Sequence, residues 1–144
     1  MKQTWLLLLV GLTPFLAGVA LNAAMMRFLH TPSVLLSAAL LGLWGCLSYR
    51  LRRPQDAALT HAIVMQVPAF AVLLLAIYQV YVQGAYWPNA FGILTQHYYL
   101  PVIALAARIA WLFVDDLGSG LVFSVGFTAM FVASLIGGAI AKDA

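Results

Sequence analysis

Arg108 is the residue with the strongest claim to chemistry. It lies in the apolar run Ile103–Val114, with Gln96, His97 and Pro101 upstream and Asp115-Asp116 downstream. At the helical rise per residue it stands about 12 Å from Asp116. That depth is well inside a hydrocarbon core about 30 Å thick. A central arginine costs at least about 2.5–3.5 kcal/mol on insertion scales. Its guanidinium must therefore face the bundle interior or water, and must find an acceptor. Several donors on one planar group suit an anion or a polar head group. The structural alternative is an arginine that snorkels to Asp115 or Asp116, or caps carbonyls freed by Pro68 and Pro101. Counting from the same membrane side puts Gln66, Thr13 and Thr128 at similar depth, so a polar layer of Arg108, Gln66, Thr13 and Thr128 is expected.

Gln96-His97-Tyr98-Tyr99 is the second cluster. With Asn22, Arg27, His30, Gln79, Gln83, Trp87 and Asn89 it would line a vestibule on the non-cytoplasmic half; the plainer reading is an interfacial belt. An exposed His97 would titrate near neutral pH and could relay protons. The ligand-binding candidates are thus Arg108, Gln66, Gln96, His97, Tyr98, Thr13 and Thr128.

Other chemistry is poorly served. The chain contains no glutamate, which removes any Glu-centred proton carrier or general base. His61 and His97 fall at different depths, and His30 falls at a surface, so two histidines cannot share a haem. No His, Cys and Asp set has zinc-ligand spacing. No cofactor, metal or catalytic residue is expected. G-x-S-x-G, H-E-x-x-H and P-loop patterns are missing. Asp115 and Asp116 are adjacent, hence about 100° apart on a helix, and suit capping better than a carboxylate dyad. The single cysteine, Cys46, lies in an apolar run and reads as packing.

The elements that position these residues are apolar helices. The chain has 144 residues, 65% hydrophobic and 8% charged, far below the quarter or so of charged residues in soluble domains. The bilayer is therefore the solvent, and a nucleic-acid partner is excluded for want of a basic patch. One domain, residues 1–144, is expected: an all-α polytopic membrane protein with five transmembrane helices, four being the alternative.

The first span runs over about Trp5–Leu29 and reads as an uncleaved helix broken by Pro14. Thr31-Pro32 restarts the chain, and the second span runs to about Arg50. The third covers about Asp56–Gln83 and contains His61, Gln66 and Pro68. Gly84–Asn89 form an uncharged turn. The fourth span then runs to about Val114, kinked at Pro101; the alternative is a shallow re-entrant piece to about Gln96 and a short span from Tyr98. Proline kinks are expected in spans one, three and four. The fifth span covers about Leu117–Ala141. Its Ala129, Ala133, Gly137 and Ala141 form a small-residue stripe, for packing within the chain or against a second copy or another membrane subunit.

Five crossings put Lys2, Arg50, Arg52 and Arg53 on one side. The positive-inside rule makes that side cytoplasmic and sets the C-terminus outside. The function expected is a small membrane-embedded binding or transport component for a polar or amphipathic ligand near Arg108. The rivals are an integral-membrane enzyme acting on a lipid or isoprenoid, and an accessory subunit of a larger membrane complex.

Overall fold

The computed structural model describes residues 2–28, 33–114 and 118–141. These form α-helices α1 (Lys2–Gly11), α2 (Thr13–Phe28), α3 (Val34–Leu51), α4 (Ala58–Ile77), α5 (Ala90–Tyr98), α6 (Ile103–Trp111) and α7 (Ser119–Ile140). A π-helical turn, Tyr78–Val82, extends α4, and a 3₁₀ turn, Leu100–Val102, joins α5 to α6. Five helical units are long and apolar enough to cross a membrane: Gln3–Phe28, Val34–Leu51, Ala58–Val82, Ala90–Trp111 and Ser119–Ile140. The outside of the bundle is apolar; Leu35, Met26 and Phe113 stand more than three-quarters exposed. Such a surface is at home in hydrocarbon, and the protein is an all-α membrane bundle.

Local chemistry sets the helix ends. Ser33 caps α3 by accepting from the Leu36 amide at 3.1 Å; the expected Thr31-Pro32 start lies outside the described residues. Asn89 caps α5, accepting from Phe91 and Gly92. The π turn ends with the Gln83 amide donating to the Tyr78 carbonyl at 3.2 Å. Gly84 follows at φ 70°, in the left-handed region where glycine carries no Cβ penalty. The first unit is interrupted at Leu12, whereas α4 continues unbroken through Pro68.

Contacts fix the direction of each helix. Gln66 donates to the Met130 carbonyl and the Ser134 hydroxyl, Phe70 packs on Phe127, and Tyr81 lies against Gly120. α7 is therefore antiparallel to α4. Ser48 donates to the Ser134 carbonyl and Arg52 to that of Gly138, so α3 runs parallel to α7. Gln3 reaches the Leu51 carbonyl and Asp56, and Gly11 packs on Met65 and Pro68, so α1 runs parallel to α4. One end of the bundle collects Gln3, Arg52, Asp56 and Gly138. The other collects Gln83 and Gly118.

The fourth unit does not traverse this bundle. α5 descends from the Gln83 end: Gly18 meets the His97 carbonyl, the Tyr98 hydroxyl donates to the Gly11 carbonyl, and the Tyr99 hydroxyl donates to that of Ala69 at 2.6 Å. α6 then climbs back. Tyr99 and Val102 flank Gly126, while Ala106 and Ala110 cluster with Val122, nearer the start of α7. Chain reach demands the same. Val114 and Gly118 are four steps apart, about 14 Å at most; the far end of the 22-residue α7 is about 33 Å away. At the turn, Tyr99 (φ −92°, ψ −3°) and Val102 (φ −112°, ψ −1°) both sit near ψ zero, where the helix axis changes direction.

The fourth unit is thus a hairpin whose two arms share one end of the bundle, and residue 141 lies at the same end of the bundle as Gln3 and Arg52.

Candidate functional site

The expected polar layer does not assemble as one group. Gln66 is buried and belongs to a knot centred on Ser134. The Ser134 hydroxyl donates to the Met130 carbonyl (2.9 Å) and accepts from Trp44 Nε1 (2.8 Å) and Gln66 Nε2 (2.7 Å). A hydroxyl has one donor and two acceptor sites, so all three are used. The knot joins α3, α4 and α7. Thr128 stands exposed on α7 and donates to the Ser124 carbonyl of its own helix. Thr13 donates to the Val10 carbonyl at 2.8 Å, the group that Pro14, lacking an N–H, leaves free.

Arg108 lies apart from all of these. It is exposed, in the last turn of α6, three residues before the helix ends at Trp111. That places it about 4.5 Å from the helix end, near the bundle end that holds Gly118. The expected depth was counted from Asp116, whereas the helix ends at Trp111. On the ascending arm of a hairpin, the guanidinium needs only to snorkel outward, and a cation in a last turn is favoured by the helix dipole. Among the described residues it has no hydrogen bond or ion pair. Asp115, Asp116 and His30 lie outside the described residues.

The Gln96–Tyr99 cluster divides. Gln96 is exposed, and His97 turns Nδ1 to the Ile93 carbonyl of its own helix at 2.8 Å. Tyr98 and Tyr99 are buried and fasten the hairpin tip to helices on both sides. The Gly11 carbonyl is free for Tyr98 because the Phe15 amide bonds Leu12 instead. Among the described residues, no three His, Cys, Asp or Glu side chains come within reach of one metal ion.

The hairpin tip creates the feature best shaped to hold a molecule. α2 and α3 are neighbours in sequence yet barely touch. Between them opens a cleft of about 170 Å³, walled by Thr13, Pro14 and Ala17 on α2 and by Leu40, Trp44 and Leu47 on α3. Pro101 and Val102 of the tip and Met130 of α7 complete it. The polar atoms of its walls are already satisfied: Thr13 Oγ1 by Val10, Trp44 Nε1 by Ser134. What the cleft offers is apolar surface at mid-bundle depth. Arg108 is not on its wall.

The sequence reading missed Trp44, Ser48, Ser134 and the cleft. A signal for Ser134 existed. Counting inward from Ala141, as the true direction of α7 requires, brings residues near 131 level with Gln66, and Met130 and Ser134 bracket that position. Compared with known proteins, the chain matches no protein family, no curated protein and no solved structure.

Proposed function

We propose that this membrane protein is a binding component that takes the hydrocarbon chain of an amphipathic lipid into the α2–α3 cleft. The carrying observation is the cleft itself: it opens between two helices that barely meet, and its far side is the tip of a broken helix. Broken helices that end at the midplane are where membrane proteins place binding sites. The satisfied walls select an apolar guest. Arg108, on the ascending arm about 10 Å from Pro101 by helical rise, supplies the cation for the guest's polar head nearer the surface. If the protein also moves its ligand, a gradient or another subunit provides the energy, since the chain has no nucleotide motif.

The charge pattern supports a cell-membrane orientation with the Arg50–Arg53 end in the cytoplasm. Lys2, Arg50, Arg52 and Arg53 belong to that end and Arg27 and Arg108 to the other. Residue 141 then faces the cytoplasm as well.

Photo-crosslinking tests the binding reading. A diazirine placed near the end of a phospholipid acyl chain is expected to label α3 peptides containing Leu40 and Leu47. Ala17→Trp, which fills the cleft, is expected to reduce that labelling more than about ten-fold, since a pocket-lining apolar contact is worth over 1.4 kcal/mol, while the protein stays folded. Labelling of Leu40 and Leu47 no stronger than that of the outward-facing Phe70 would contradict the proposal.

The accessory-subunit reading has one observation in its favour. An apolar groove of about 470 Å³ runs along α3 and α7 between Gly42, Gly45, Cys46, Ala133 and Ile136, shallow and lined by small residues as a second helix would need. Part of the small-residue stripe is already used within the chain, because Gly137 packs on the Gly45 carbonyl.

A further inference from the structure

A second crevice, of about 250 Å³, opens at the opposite end of the bundle from Arg108. It lies between the first turns of α1 and the end of α3, lined by Gln3, Leu6, Arg50, Leu51 and Arg53. Its two arginines are both exposed, and among the described residues neither guanidinium has a hydrogen bond or ion pair. The arginine between them behaves differently. Arg52 folds back on the chain, donating from Nε and Nη2 to the Asp56 carbonyl at 3.1 and 2.8 Å and from Nη1 to that of Gly138. Asp56, the one acidic residue among those described, is turned toward Gln3 Nε2 at 3.3 Å. Structural work therefore accounts for Arg52 and Asp56, and among the described residues Arg50 and Arg53 have no ion-pair partner.

We infer that this crevice binds the phosphate head group of an anionic phospholipid. Three features point there together. Two unengaged guanidiniums flank one cavity, and guanidinium forks match phosphate oxygens. The cavity sits where helix ends meet the membrane surface, the level of lipid phosphates. Beside Gln3, whose amide is turned to the Leu51 carbonyl and Asp56, its remaining walls are Leu6, half-exposed on α1, and Leu51, an apolar continuation that a glycerol backbone and acyl chain can follow and a free ion cannot use. Basic pockets between transmembrane helices are established head-group sites in membrane proteins generally. This site is separate from the α2–α3 cleft and does not depend on it.

The experiment is lipid retention by the purified full chain in detergent, read by native mass spectrometry. Phosphatidylglycerol is expected to be retained over phosphatidylcholine, with retention falling as salt rises. The double variant Arg50→Gln/Arg53→Gln is expected to lose about 30-fold in phosphatidylglycerol affinity, at about ten-fold or less per arginine near a membrane surface, with phosphatidylcholine unchanged. Arg27→Gln, exposed at the opposite end of the bundle and outside both the crevice and the cleft, is expected to leave retention as it is. Equal retention of the two lipids, a salt-independent preference, or an equal loss in Arg27→Gln would overturn the inference. Displacement of the lipid by excess inorganic phosphate would also overturn it, by showing a free-phosphate site. If the double variant does not fold, the head-group preference and its salt dependence in the unaltered protein decide the matter alone.

Discussion

Gly18→Ala is expected to cost at least about 3 kcal/mol and to leave little folded monomer. A single Cβ at Gly18 would be driven into the backbone carbonyl of His97. Neither partner can retreat. The His97 segment is held from below by Tyr98 on Gly11 and by Tyr99 on Ala69, and α2 joins α1 through the same Gly11 region. Gly42→Ala, the same chemical change, is expected to have the opposite sign. Nothing lies within 4 Å of the added methyl, so what remains is the helix preference for alanine, about 0.5–1 kcal/mol. Thermal unfolding in detergent, with size exclusion to count folded monomer, checks both. Destabilisation by Gly42→Ala as large as by Gly18→Ala would mean that close approach of the hairpin to α2 is not the cause.

Tyr99→Ala is expected to be comparably severe, about 3–5 kcal/mol, the range for truncating a large buried aromatic. The ring is 1% exposed and stacks on Phe123 at 5.5 Å, and Tyr98 meets it edge-on at 5.2 Å. Tyr99→Phe keeps the ring and removes only the hydroxyl that bonds Ala69. Hydrogen bonds between membrane helices average about 0.6 kcal/mol, so Phe is expected to cost about 1 kcal/mol or less. The ratio carries the meaning: the tip is held mainly by packing and aligned by hydrogen bonds. A Phe variant as unstable as the Ala variant would reverse that assignment.

The bundle was legible because its causes are local. Few charges, long apolar runs, and turns at Pro54 and Gly84 required membrane helices, and the helix ends fall within a few residues of their expected places. The re-entrant hairpin was not legible in the same way. Ala90–Trp111, which holds α5, the 3₁₀ turn and α6, is a largely apolar stretch of 22 residues, the length of a crossing. Pro101 marks a break, but whether a break bends a helix or reverses it depends on what anchors the tip. Those anchors are Tyr98 and Tyr99 reaching carbonyls on α1 and α4, long-range contacts with no sequence pattern.

Two further readings turned on that one decision. If the fourth unit crosses, α7 starts at the Arg52 end and Thr128 lies level with Gln66. Because it returns, α7 is reversed and Ser134 takes the place of Thr128 beside Gln66; Arg108 is shallow for a separate reason, that α6 ends three residues later at Trp111. The depth arithmetic was sound for Thr13 and Gln66, whose helices keep the expected direction. The cleft is a product of the same reversal, since its far wall is the hairpin tip.

The claim that everything else depends on is therefore the reversal, and site-directed labelling tests it directly. With Cys46, the only cysteine, replaced by serine, single cysteines are placed at Arg53, Gln83, Val114 and Ala141 and exposed to a membrane-impermeant maleimide from one side at a time. The re-entrant fold predicts that Gln83→Cys and Val114→Cys label from one face, and Arg53→Cys and Ala141→Cys from the other. Val114→Cys labelling together with Arg53→Cys, and Ala141→Cys with Gln83→Cys, would mean that the fourth unit crosses the membrane, and would remove both the hairpin and the cleft it closes.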